Sequence, residues 1–300
     1  MKFITAQFDG EVFVGVIDET ETKVLPLQKA ADKSKSSYDF PMTMQECIAI
    51  GPAFVEEVRG LLAWAKNAAE ELYLPLQSVK LLAPIPQPHK NIFCIGKNYA
   101  DHAIEMGSKD DIPEHIMVFT KAPTTVIGNH ETVYHHQEIT TQLDYEGELA
   151  IIIGKKGKGI KKEEAFEHIF GYTILNDITA RDLQAKHKQF FIGKSLDTSC
   201  PMGPWIVHKS AIENPNHLNI QTTINGEIRQ NSNTEKFIFS IEEMISVLSQ
   251  GMTLEPGDII ATGTPAGVGK GFKPPRFLQP GDTIEITVEK IGTLKNTIEN

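Results

Sequence analysis

Apolar positions along this 300-residue chain change period several times, and each change marks an element. Residues 2–8 and 11–17 are β-rich runs on either side of Asp9-Gly10, which predicts a hairpin. Between residues 53 and 72, Phe54, Val55, Val58, Leu61, Leu62 and Ala65 recur at helical spacing. Pro84, Pro86 and Pro88 then rule out a helix and favour an extended connector. The connector divides the chain into a small N-terminal α/β module (residues 1–85, hairpin plus helices) and a second domain (residues 90–298).

From Asn91 onward the pattern is strand-rich. Residues 92–95 predict a short strand. Residues 149–153 are a continuous apolar run rather than an alternating one, which predicts a strand buried on both faces. A short helix over 163–168, a strand over 172–176 and a helix-like stretch over 179–188 follow. Asn225-Gly226 between two β-rich runs predicts a type I′ hairpin. Ser240-Ile-Glu-Glu243 reads as a capping box for a helix ending at Gly251. Residues 258–262 predict a strand, and Pro280-Gly281 opens one last strand. The fold class is therefore α+β, mostly β, with long connections.

Composition narrows the functions. A net charge of −10 leaves no basic stripe for nucleic acid and disfavours an anionic membrane surface. No apolar run approaches the ~20 residues a membrane span needs. Cys47, Cys94 and Cys200 are widely spaced and odd in number, which fits a reducing compartment rather than a disulfide framework. The N-terminus turns polar too early for a signal peptide. These features together predict a cytoplasmic protein.

Candidate chemistry centres on Leu143-Asp-Tyr-Glu-Gly-Glu-Leu-Ala150. Glu146 and Glu148 are two apart at the start of an apolar strand, so both point to one face. Held that close, their charges repel unless a cation lies between them or the face is solvated. Asp177 follows the 172–176 strand and either caps the next helix or supplies a third oxygen ligand. Three carboxylates plus waters would complete a six-coordinate site for Mg²⁺ or Mn²⁺. No His or Cys stands at zinc spacing.

Other candidates each carry two readings. Lys194 is a surface lysine or a positive charge facing a developing oxyanion. Arg181 and Gln184 share a helix face, either solvated or holding a substrate carboxylate and carbonyl. His102 and Glu105, three apart, are a surface pair or a general base with its orienting carboxylate. The polar Gly107-Ser-Lys-Asp-Asp stretch beyond them predicts a mobile lid. The Thr262–Gly269 segment lacks the glycine and Ser/Thr positions of a phosphate loop. It is a tight turn, or a nest of N–H groups for a carboxylate.

Taken in order, Gly96-Lys-Asn-Tyr-Ala-Asp-His102, Asp144-Tyr-Glu-Gly-Glu148, Asn176-Asp-Ile-Thr-Ala-Arg-Asp-Leu-Gln184, Lys194-Ser-x-Asp-x-x-Cys-Pro201 and Thr262-Gly-Thr-Pro-x-Gly-Val-Gly269 resemble the fumarylacetoacetate hydrolase family. The match spans about residues 90 to 298, and its stretch around Lys194 resembles a bacterial branch described as oxaloacetate decarboxylase. The resemblance implies a rolled mixed-sheet catalytic domain, usually a homodimer. It implies Mg²⁺ or Mn²⁺ on Glu146, Glu148 and Asp177. It gives catalytic roles to His102, Glu105 and Lys194, and contact with a small 2-oxo acid to Arg181, Gln184 and Thr264. Lys97 stands where some relatives have arginine, and the two are not interchangeable at a bidentate site.

The chemistry this implies passes through a pyruvate enolate. Loss of CO₂, as from oxaloacetate, needs no nucleophile, whereas cleavage of an acylpyruvate needs water activated by His102 and Glu105. Proton relocation, the isomerase chemistry of 2-hydroxymuconate-type diacids, uses the same enolate. C–C cleavage ranks first on sequence, with decarboxylation ahead of hydrolysis. A non-catalytic binding or scaffolding protein is the competing class, since residues 1–85 carry no recognisable chemistry.

Overall fold

A computed structural model describes residues 1–68 and 70–300. The architecture is α+β and mostly sheet, as expected. A twelve-stranded sheet runs Leu74–Pro75, Lys23–Pro26, Glu11–Ile17, Lys2–Phe8, Cys200–His208, Ile169–Asn176, Gly147–Ile153, Ile259–Ala261, Ile92–Gly96, Met117–Lys121, with two short strands off this path. Most pairs are antiparallel, while Ile259–Ala261 lies parallel to Ile92–Gly96. A five-stranded sheet runs Glu227–Asn233, Asn219–Ile224, Thr283–Val288, Gly292–Glu299, Thr132–Tyr134.

The Gly147–Ile153 strand is buried throughout, and its alternation explains why its sequence is continuously apolar. Leu149, Ile151 and Ile153 join a core with Ile220, Ile284, Ile286 and Ile298 of the smaller sheet. Ala150 and Ile152 point the other way, into a core with Phe3, Phe54, Val58 and Leu61. The helix Pro52–Ala68 covers that second face, where Phe3 stacks near Phe54 (5.2 Å) and Phe170 (5.4 Å).

The N-terminal hairpin forms as expected, with Asp9 and Gly10 at φ 50° and 84°. Its strand Lys2–Phe8 pairs with Cys200–His208, and Thr5 Oγ1 donates to the carbonyl of Pro84 at 2.7 Å. The hydrogen-bonded sheet thus continues from the N-terminal module into the later strands across the proline connector. Asn225 and Gly226 both take positive φ (53° and 80°), as a type I′ turn requires.

Several expectations are corrected. Residues after Pro280-Gly281 form two strands, Thr283–Val288 and Gly292–Glu299, because the turn at 289–291, with Lys290 at φ 62°, reverses the chain. Lys162–His168 is a 3₁₀-helix. The 179–188 stretch opens as a two-residue strand pairing with Leu143–Asp144 and becomes helical only at Arg181–His187. The 107–111 stretch folds into a 3₁₀ turn, Lys109–Asp111, closed by a Ser108–Asp111 capping box. Ser240 caps Ile241–Ser249 through the Glu243 N–H, but the reciprocal half of the box is not formed. No helix among the described residues is long and apolar enough to cross a membrane. The three cysteines are free and buried.

Candidate active site

The strand parity that buries Ala150 also sets the acidic pair. Glu148 shares its face, and Glu146 precedes it by two. Gly147 between them faces Thr222 and Ile286 of the smaller sheet, where a Cβ would clash with the Thr222 hydroxyl at 2.3 Å. Antiparallel pairing places Gly147 opposite Asn176, so Asp177 emerges beside the pair, and its N–H donates to the Glu146 carbonyl at 2.9 Å. Glu146, Glu148 and Asp177 are all buried and each offers one oxygen within 4.8 Å of the others. Asp177 does not cap the next helix, whose N-cap is Ala180.

Cations distribute unevenly over this cluster. Lys194 Nζ donates to Glu146 Oε2 and Asp177 Oδ2, both at 2.7 Å. Arg181 Nη1 lies 2.7 Å from Glu146 Oε1, and its Nε donates to Asp144 Oδ2 at 2.8 Å. Lys121 Nζ lies 2.9 Å from Asp177 Oδ1 and donates to the carbonyls of Ile178 and Lys194. Among the described residues Glu148 has no cationic partner within ion-pair distance. It accepts only the Gly263 N–H, at 2.7 Å.

The titration behaviour follows. Burial raises the Glu146 carboxyl, but Lys194 and Arg181 overcome it and hold it down to about 2. Burial, together with the Asp177 and Glu146 charges, pushes Glu148 well above the usual carboxylate range. Burial lowers Lys194, but the Asp177 and Glu146 charges outweigh it and leave the ammonium raised. The donor set therefore fits a hard divalent cation: three carboxylate oxygens converge, and one carboxylate lacks a counter-charge.

A cleft of about 330 Å³ opens onto this cluster. It brings together Glu146, Glu148, Arg181, Gln184, Lys194, Thr264 and His102, with Phe119 and Lys270 on its walls. His102 lies on the helix Ala100–Met106, and its Nδ1 is 3.5 Å from Glu105 Oε2. The Glu105 carboxylate also accepts the Gly267 N–H, at 3.0 and 3.1 Å. That contact ties this helix to the glycine-rich turn, which presents N–H groups to carboxylates of the chain itself. Arg181 Nη1 donates to Gln184 Oε1 at 3.3 Å, so the two share a face as the spacing requires. Thr264 lines the cleft, but its hydroxyl is engaged: it donates to the Gly147 carbonyl and accepts from Gln230 Nε2.

Sequence reasoning missed Lys121, a strand lysine that is fully buried. It also gave no role to Asp144, Gln230 or Asn98. Asp144 was visible in the quoted motif as a third acid beside Glu146 and Glu148. Asn98 accepts from the Phe239 N–H and donates to the Thr262 carbonyl, pinning two distant loops. No local signal marks Lys121 or Gln230. Lys97 pairs with Asp111 at 2.9 Å and holds φ at 53°, in the left-handed region.

Residues 91–299 match the family model described as fumarylacetoacetate (FAA) hydrolase C-terminal. Oxaloacetate tautomerase YisK of Bacillus subtilis is 60% identical over 99% of this chain and 100% of that protein. Among solved structures, a fumarylacetoacetate hydrolase from Exiguobacterium antarcticum superposes with TM-score 0.84 at 40% identity, covering 100% of this chain and 99% of that one. A 5-carboxymethyl-2-hydroxymuconate delta-isomerase from Mycobacterium smegmatis gives 0.74 at 33% identity, covering 100% and 98%.

Proposed function

This chain belongs to the fumarylacetoacetate hydrolase family and is an enzyme, and we propose that it interconverts the keto and enol forms of oxaloacetate or a closely related 2-oxo acid. The observation that carries the reading is the opening of Glu146, Glu148 and His102 into one cleft, with Asp177 converging on the two glutamates. Such a cleft can hold a 2-oxo acid and exchange its C3 proton in one place. The identity to an oxaloacetate tautomerase supports the same choice and moves proton relocation ahead of the C–C cleavage that ranked first on sequence.

Glu146, Glu148 and Asp177 would hold Mg²⁺ or Mn²⁺. When bound, the cation supplies Lewis acidity at the keto oxygen. His102 takes the proton from C3 through Nε2, because Nδ1 faces Glu105. Glu105 fixes the ring and offsets the charge the imidazole gains. Lys194, held by Glu146 and Asp177, faces the developing enolate with positive charge. Arg181 and Gln184 orient the carboxylate. The proton returns to the C2 oxygen, so no bond between carbons breaks. The reading includes a cytoplasmic homodimer.

Ultraviolet absorbance of the oxaloacetate enol, followed with pyruvate assayed in parallel, tests the proposal. Enol relaxation should accelerate with enzyme and Mn²⁺ without matching pyruvate release. Pyruvate appearing at the same rate would make the enzyme a decarboxylase, the reading favoured by sequence. His102→Ala should slow relaxation about 100-fold or more.

A further inference from the structure

Beyond the Arg181 Nη1 contact with Glu146, the cleft carries two cationic donors, Arg181 Nη2 and the Lys270 ammonium, that the proposed proton transfer does not use. Asp144, fully buried, spends all four of its acceptor positions on the chain. Oδ1 accepts the N–H groups of Tyr145 (3.0 Å) and Gly269 (2.6 Å). Oδ2 accepts Arg181 Nε (2.8 Å) and the Lys270 N–H (3.0 Å). One carboxylate oxygen therefore fixes both the Arg181 guanidinium and the backbone of Lys270.

Both residues retain free donors. Arg181 is 2% exposed, yet its Nη2 is buried without a hydrogen-bond partner. A buried guanidinium nitrogen left unpaired is costly, and a ligand acceptor removes the cost. Lys270 lines the same cleft, and its Nζ has no ion-pair or hydrogen-bond partner among the described residues. Burial and the nearby Arg181 charge lower its pKa, although the Asp144 charge pulls the other way. Two cationic residues anchored on the same Asp144 oxygen and lining one cleft favour an anion between them. Lys97 on the same wall is already neutralised by Asp111, and Lys188, which also lines the cleft, is solvent-exposed and is not held by Asp144.

Resting on the 2-oxo acid reading above, we propose that Lys270, with Arg181 Nη2, forms a subsite for the distal carboxylate of the substrate. The enzyme then selects 2-oxo dicarboxylates over 2-oxo monocarboxylates. Asp144 is the positioning residue: it holds both cations without competing for their remaining donors. Gly269 belongs to the device, since a Cβ there would lie 2.7 Å from Asp144 Oδ1 and 2.3 Å from the Arg276 carbonyl.

The test uses two stable 2-hydroxy acids that differ only at the distal group, racemic malate and racemic 2-hydroxybutyrate. Each is titrated calorimetrically into the full-length protein with Mg²⁺. Wild type should bind malate more tightly. Lys270→Gln should weaken malate about fivefold, leave 2-hydroxybutyrate unchanged, and be rescued by Lys270→Arg. Equal weakening of both acids, no weakening of either, or no malate preference in wild type overturns the subsite. A preference that Lys270→Gln removes, in an enzyme that does not relax the oxaloacetate enol, leaves the subsite standing and overturns the reaction. Enol relaxation without a malate preference does the reverse.

Discussion

The strand Ile169–Asn176 starts in one kind of core and ends beside another. At Phe170 it joins the stack of Phe3 and Phe54, where contact and area do all the holding. Immediately past Asn176, Asp177 enters a cluster of buried charges locked by Lys194 and Lys121. Both regions exclude water to a similar degree. The aromatic region gains stability from every group it buries. The charged region does not: ion pairs taken out of water return little net stability, and losing one partner is severe. A chain that keeps the second arrangement beside a cleft keeps it for chemistry.

The sharpest way to break that contrast is Lys121→Met. It leaves the Asp177 carboxylate and two carbonyls without their shared donor, and should cost about 3–5 kcal/mol in urea unfolding. A loss below ~1 kcal/mol would show that the charged region tolerates unpaired groups as well as the aromatic one tolerates gaps. Next comes Glu148→Gln, which should lower kcat/KM about 300-fold, or ~3.4 kcal/mol. The same variant should leave the urea midpoint unchanged or raised, because the lost charge had no cationic partner. Phe54→Ala should show the opposite signature. It should cost about 3 kcal/mol of stability with kcat/KM per folded molecule retained.

The smallest effect is a pH dependence seated in the aromatic region. Burial, aided by the charge of the chain N-terminus, lowers His208 to about 4; its ring packs against Phe3 and Phe170. Its folded pKa lies below the unfolded value of 6.5, so the unfolded chain binds the extra proton first. The stability it contributes is therefore present above pH 6.5 and is lost as pH falls towards 4. Discounted for its partial exposure, the loss should be about 2 kcal/mol. Urea midpoints for wild type and His208→Gln at pH 7 and pH 4.5 would measure it. Parallel pH curves would remove His208 as the cause.

What was legible in the sequence was whatever neighbours in the chain decide. Asp9-Gly10 and Asn225-Gly226 mark their own turns because only a few residues tolerate positive φ. The run 149–153 announces burial on both faces because every position is apolar. The triad was legible because Glu146 and Glu148 are fixed by strand parity and Asp177 by pairing across one ladder. Lys121 was not, since its burial arises only when the carbonyls of Ile178 and Lys194 arrive from far along the chain. The two final strands read as one because the reversal at 289–291 puts a lysine, Lys290, at positive φ, where no turn residue of the usual kind marks it. The pairing of Lys2–Phe8 with Cys200–His208 is likewise invisible locally: both strands look like edges until they meet.

That pairing has a practical consequence for anyone who would take the protein apart. A cut in the proline connector would sever one peptide bond and leave the ladder from Lys2–Phe8 to Cys200–His208 in place, along with the apolar core on either side of it. The two pieces are better described as halves of a split protein than as separable modules. Co-expressed, they have the complementary edges needed to reassemble. Expressed alone, each exposes an unpaired strand of the kind that drives chains into aggregates.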